Sequence, residues 1–303
     1  MNAKQKKRQA ESQAQRLLKI KQDRKRVLTS KSGFYMQEAY KTLRTNVNFA
    51  LAEVEGSKII MVTSALQSEG KSITALNLAI SLAQTDKKIL LMDCDLRRPR
   101  LTRLTNVSSP VGLSNLFMDM NFIEVAIVNH EEYGIDLILA GDIPPNPAEL
   151  LSSSRMQKLM TALRQRYDYI ILDTPPVDLV VDAALLAPQS DGVLFVVRAG
   201  QSERGAVIHA MDQLEYVKAN VIGFVFNGVT SETSKGYGKY RYRQYRRYSG
   251  YGRYSRYGYR YGYGYSYSYG GSGNHGYYSN MPYSVPEEPV EQEPQKTAIF
   301  EQP

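Results

Sequence analysis

The chain has 303 residues, a formal net charge of +8 and a single cysteine, Cys94. That length suits one or two domains, and a lone cysteine excludes an intramolecular disulfide. The charge is uneven: residues 1–32 carry eleven Lys/Arg against two acids, residues 233–286 nine against none, and the last seventeen residues five Glu against one Lys. Residues 33–232 are therefore mildly acidic, so the high pI is an argument about what the two ends touch and not one for a nucleic-acid-binding fold. No apolar run approaches the ~20 residues that span a bilayer. The expectation is a cytoplasmic or peripheral protein whose membrane contact is electrostatic or made through a partner.

In chain order, residues 1–32 read as a basic arm, either a polar helix or disordered. Residues 34–53 have helical spacing, with Tyr40, Leu43, Val47 and Leu51 recurring at steps of three and four. A strand follows at 58–64, a helix at 70–84, and a strand at 88–95 whose near-continuous apolar run implies burial on both faces. Strands at 134–141 and 167–176 flank a helix at 152–166. A strand at 192–200, a helix at 203–219 and a strand at 221–228 complete one domain over 33–232. Strands alternating with helices predict an α/β fold, a mostly parallel sheet with helices on both faces and ligands at the carboxyl ends of the strands. Periodicity then stops. Residues 237–283 hold seventeen of the twenty-three tyrosines, interleaved with Gly, Ser and Arg. Such a segment buries too little to offset its ordering entropy, and disorder is expected there and in the Pro/Glu-rich stretch 287–303.

The segment TSALQSEGKS (63–72) follows a strand and opens a helix, the setting of a phosphate-binding loop. Ser64, Ser68, Glu69, Gly70, Lys71 and Ser72 are its candidate nucleotide-binding residues. Gly70 lets the backbone approach the phosphates, Lys71 reaches the β- and γ-phosphates and the Ser72 hydroxyl ligates Mg²⁺. Ala65 stands at the first glycine position of the usual pattern. Two further strands end in acids, one in Asp93 and Asp95 and the other in Asp173. Carboxylates at those positions suit a metal shell and a proton acceptor. No guanine-reading Asn-Lys-x-Asp element occurs, which favours ATP. Asn227 ends the last strand, either as a purine contact or as an ordinary turn residue.

Gly70-Lys71-Ser72, LLMDCDLRRPR, LAGDIPPNPAELL (139–151) and IILDTPPV together resemble the bacterial tyrosine kinases of exopolysaccharide and capsule synthesis. The resemblance runs from residue 34 to about residue 230. It implies a P-loop NTPase fold and transfer of the γ-phosphoryl of ATP to tyrosine. Lys71 would hold the transferring group, Asp93 would accept the phenol proton, and Ser72, Asp95 and Asp173 would position Mg²⁺. The related positioning and partition ATPases carry a lysine five residues before the catalytic one. Leu66 occupies that position here, which argues against that alternative. Glu38, Lys41 and Arg44 match a helix motif whose face, by resemblance, pairs with a neighbouring subunit in a homo-oligomeric ring. Their spacing alone fits an intrahelical salt bridge equally well. The resemblance also implies a separate transmembrane activator of the polysaccharide chain-length type and a cognate tyrosine phosphatase.

Three readings of the tyrosine-rich tail compete: an autophosphorylation cluster, an Arg/Tyr/Gly nucleic-acid binder, and a solvated linker. Composition alone does not choose among them. Beside an ATP site of this kind the first is expected, with Tyr257, Tyr259, Tyr261, Tyr263, Tyr265, Tyr267 and Tyr269 as candidate acceptors in trans and no specific nucleic-acid partner.

Overall fold

The computed structural model describes Leu18 and residues 20–229; the tyrosine cluster at 257–269 and the end at 287–303 lie outside the described residues. Seven strands form one sheet: β1 (Lys58–Ser64), β2 (Ile89–Asp93), β3 (Ile127–His130), β4 (Ile135–Ile138), β5 (Tyr169–Asp173), β6 (Gly192–Arg198) and β7 (Val221–Asn227). Their spatial order is β3-β4-β2-β5-β1-β6-β7. All pairs are parallel except β3 with β4. The helices are α1 (Phe34–Ala50), α2 (Lys71–Ala83), α3 (Leu101–Thr105), α4 (Leu113–Leu116), α5 (Ile123–Ala126), α6 (Pro147–Leu151), α7 (Ser154–Arg164), α8 (Asp182–Leu186) and α9 (Arg204–Tyr216).

The central strands are uninterrupted apolar runs because both of their faces are covered. β2 and β5 are buried at every residue. Alternate side chains feed two separate cores. Ile60, Val62, Leu91 and Ile171 pack with α1 and α2, while Ile59, Met61, Leu90 and Leu172 pack with residues of α6 to α9. The antiparallel edge strand β3 was not expected from the sequence. It is four residues long, holds Asn129 and His130, and is only partly buried, so it lacks the apolar signal that marks its neighbours.

Part of the basic arm is packed onto the domain. Val27 and Leu28 are 3% and 2% exposed and belong to the α1–α2 core. The Asn77 amide of α2 clamps this segment: its Oδ1 accepts the Leu28 N–H at 2.7 Å and its Nδ2 donates to the Arg26 carbonyl at 2.9 Å. Arg24 donates to the Arg103 carbonyl and to Asn106, and Asp23 pairs with Arg103 at 3.3 Å. Composition averaged over 1–32 hides this two-residue apolar plug among eleven cations.

Asn77 is 1% exposed, so removing its amide strands the buried Leu28 N–H and frees the part-buried Arg26 carbonyl. Asn77→Ala is expected to destabilise the protein by about 1–3 kcal/mol in urea unfolding. A midpoint equal to that of the wild type would show that the clamp contributes nothing.

Candidate active site

The loop after β1 is held open from beneath. The Ser64 hydroxyl donates to the Leu66 carbonyl at 2.8 Å, and the Glu69 carboxylate accepts the Leu66 N–H at 2.8 Å. Glu69 is 1% exposed and also meets the Ser202 hydroxyl after β6. Arg198 donates to the Ser68 carbonyl at 3.1 Å, and Asn227 Nδ2 donates to the Glu69 carbonyl at 2.8 Å. Gly70 has φ of 106°, and a Cβ there would lie 1.8 Å from Asn227 Nδ2. Both the dihedral and the space therefore require glycine. Ser68 also takes a positive φ, of 66°. Ser64, Glu69 and Asn227 thus act on the shape of the loop. The Nδ2 of Asn227, a residue whose sequence position suits either a purine contact or a turn, donates to the loop backbone.

The carboxylates converge because of strand register. Asp93 and Asp173 are directly opposite one another on β2 and β5. Asp93 is fully buried: its Oδ2 accepts the N–H groups of Arg100 and Leu101, each at 3.0 Å, and its Oδ1 accepts the Asp95 N–H at 3.3 Å. Asp95 Oδ2 lies 3.3 Å from Lys71 Nζ, and its Oδ1 accepts the Arg98 N–H. Both oxygens of Asp173 are buried and accept no well-formed hydrogen bond, with Lys71 and Ser72 beside them. Burial, then the charge of Asp173, pushes the Asp93 carboxyl up to about 8. Burial pushes Asp173 up to about 6, opposed by Lys71 and Ser72. Between Asp93 and Asp95, Cys94 is fully buried, and burial together with the Asp93 charge holds its thiol well above its ordinary value.

The three arginines that follow are positioned differently. Arg97 makes a bidentate pair with the fully buried Asp182 at 2.8 and 2.9 Å, and Arg98 donates to Gln67 at 2.6 Å. Asp182 opens α8, which packs against α6, the helix of the PPNPAELL segment. That segment supports the arginine loop from behind. A cavity of about 260 Å³ lies over Gly70, Lys71 and Ser72 and is walled by Arg100, Arg103 and Arg198; Gln22, Asp23 and Arg26 of the arm also line it. A second cavity of about 290 Å³ also borders Lys71, against Asp95, Pro175, Pro176, Leu179 and Val180. Sequence reading missed the arm residues because no local pattern places them at the loop.

The donor set suits a hard cation: an orphaned buried carboxylate, a second one shared with Lys71 and a hydroxyl at a helix start. Among the described residues no cluster of three or more His, Cys, Asp or Glu forms a metal cage, so phosphate oxygens and water would complete the shell. On α1, Lys41 pairs with Glu38 at 2.8 Å, and Arg44 donates to the Ser81 carbonyl of α2. Within one chain these three residues are thus occupied locally.

Residues 57–220 match the family described as an AAA domain. The tyrosine-protein kinase YwqD of Bacillus subtilis is 39% identical over 203 residues, covering 67% of this chain and 85% of that protein. The tyrosine-protein kinase CpsD of Streptococcus agalactiae is 35% identical over 214 residues, covering 70% of this chain and 92% of that one. The chain belongs to the bacterial tyrosine-protein kinases. Its fold agrees: the kinase domain of the Escherichia coli tyrosine kinase ETK superposes with a TM-score of 0.63 at 37% identity, over 67% of this chain and 79% of that one. Relatives of this family over nearly their whole length leave the positioning-ATPase alternative without support.

Both raised carboxyls hold protons in the folded apo kinase at pH values where the unfolded chain has released them. Their contribution is therefore present at low pH and is lost as pH rises from about 4 to about 8. Asp173→Asn is expected to raise the stability of the apo protein by about 1–3 kcal/mol at pH 8 and by little near pH 4. Melting curves across that range test this, and a variant tracking the wild type at every pH would refute it.

Proposed function

We propose that this kinase transfers the γ-phosphoryl of ATP to tyrosine hydroxyls, including those of its own C-terminal cluster, in trans. The supporting observation is the buried Lys71–Asp95 pair beside the Asp173 carboxylate that accepts no well-formed hydrogen bond, with two cavities bordering Lys71. The phosphates lie on the backbone N–H groups at the start of α2, and the Lys71 ammonium neutralises the β- and γ-oxygens. Ser72, Asp95 and Asp173 would hold Mg²⁺, directly or through water, which would supply further neutralisation of phosphate charge.

The phenol oxygen forms a bond to the γ-phosphorus, and the bond from that phosphorus to the β,γ-bridging oxygen breaks, its electron pair leaving on ADP. With Mg-ATP bound, whose cation favours the ionised carboxylates, the phenolic proton passes to the Asp93–Asp95 pair. Asp95 faces the acceptor side, and Asp93, with its raised proton affinity, lies behind it. Asp93 also accepts three backbone N–H groups, so loss of activity in Asp93→Asn reports loop placement as well as proton transfer.

The tail carries nine cations and no acid over residues 233–286. Each phosphate adds about −1.5 to −2 charges, so a handful of events reverses its sign. That reversal would switch a ring built on the α1 face and, through a transmembrane activator, the synthesis of an exopolysaccharide or capsule. A cognate phosphatase would reset it. Among the described residues no helix is long and apolar enough to cross a membrane, which fits peripheral attachment at the cytoplasmic face through that activator.

Incubation of the full chain with Mg-ATP, read by intact mass and phosphotyrosine mapping, tests the reading. The wild type is expected to gain several phosphoryl groups within residues 237–283. Lys71→Met, and the chain lacking 233–303, are expected to gain none. A Lys71→Met protein modified like the wild type would sink the proposal. Tight, salt-sensitive RNA binding without phosphotyrosine would favour the nucleic-acid reading of the Arg/Tyr/Gly tail.

A further inference from the structure

Three residues border both cavities: Ser68, Lys71 and Arg100. In the kinase reading above, with nucleotide over Gly70–Ser72 and the acceptor against Asp95, the place they share is where the phosphoryl group crosses. Ser68 and Lys71 belong to the phosphate-binding loop. Arg100 comes from the end of the arginine loop, and its position is fixed independently of its side chain, because its backbone N–H donates to the buried Asp93 carboxylate at 3.0 Å.

The surrounding cations are committed elsewhere. Lys71 faces Asp95, Arg97 holds Asp182, Arg98 reaches Gln67, Arg103 pairs with Asp23 and Arg198 caps Ser68. Among the described residues, no hydrogen bond or ion pair engages the Arg100 guanidinium. It stands near the buried Asp173 carboxylate, without a hydrogen bond or ion pair to it, at the junction of the two cavities.

We propose that Arg100 is a further catalytic residue, whose guanidinium contacts the equatorial oxygens of the phosphoryl group as it passes from ADP to the tyrosine oxygen. This rests on the kinase reading above. A planar, permanently charged fork with several N–H donors suits the charge that a loose phosphoryl-transfer state spreads over three oxygens. The group is supplied in cis, on a backbone anchored by its bond to Asp93, so its Cα is in place before nucleotide arrives.

The experiment compares full-length wild type, Arg100→Ala and Arg100→Lys. Single-turnover phosphotyrosine formation at saturating Mg-ATP is read alongside Mg-ADP affinity by calorimetry. Both variants keep the backbone N–H that anchors the loop. Arg100→Ala is expected to slow transfer about 100-fold or more while Mg-ADP affinity changes by less than about threefold, because the contact strengthens only as the phosphoryl group leaves. Arg100→Lys is expected to lose about tenfold, keeping the charge without the fork. A transfer rate in Arg100→Ala within about threefold of wild type overturns the proposal. So does an affinity loss that matches the rate loss, which would make Arg100 a ground-state phosphate ligand. If Arg100→Ala loses its melting transition, Arg100→Lys decides: a wild-type rate overturns the proposal, and a tenfold loss with affinity kept supports it. A wild type that binds Mg-ADP and forms no phosphotyrosine fails at the kinase reading itself, and Arg100 with it.

Discussion

The register of β2 on β5 sets two carboxylates side by side at the floor of the site, and most of the surrounding structure manages that placement. Neighbouring parallel strands are ~4.8 Å apart, so Asp93 and Asp173 cannot both carry charge in a dry interior without compensation. The two are treated in opposite ways. Asp93 is filled from the protein by three backbone N–H groups of the loop that follows it. Asp173 receives no such bond and faces the Lys71 ammonium and the Ser72 hydroxyl. One carboxylate organises protein, and the other is left for cations that arrive with the nucleotide. Such an arrangement stores destabilisation at the site and releases it on binding.

Distant segments become intelligible from this floor. The arginine loop hangs from Asp93 at one end and is tied at Arg97 to Asp182, which in turn rests on the helix of PPNPAELL. Two motifs that lie about fifty residues apart in the chain thus serve one loop. On the other side, the Asn77 clamp carries residues of the basic arm to the rim of the cavity over Lys71. Site and scaffold are continuous, because Gln67, Ser68 and Glu69 of the phosphate-binding loop are bonded to Arg98, Arg198 and Asn227 on other segments.

The sequence revealed most of the sheet and the chemistry of its strand ends. β1, β2 and β5 are short apolar runs covered on both faces, and Gly70-Lys71-Ser72 opens α2 where the pattern placed it. What stayed hidden depended on partners far along the chain. The edge strand β3 is too short and polar to register, and the burial of Val27 and Leu28 depends on an asparagine some fifty residues downstream. Arg97, Arg98 and Arg100 look alike as neighbours in a basic run. Only the positions of Asp182 and Gln67 show that two are tethered and one is not. Glu38, Lys41 and Arg44 were compatible with an intrahelical pair or a subunit contact. The single chain shows the first two paired and the third turned to α2.

The chain's single cysteine lies sealed between Asp93 and Asp95, with no exposed surface and a thiol held firmly protonated. Alkylating reagents require an accessible thiolate, so the native fold should ignore maleimides and iodoacetamides. The protein is in that respect already a cysteine-free background for spectroscopy. A cysteine introduced in the tail, or at an exposed position of α1, would take a fluorophore or spin label at one site with the catalytic floor left as it is. Distances between tail and domain could then be followed through successive phosphorylations on otherwise wild-type enzyme.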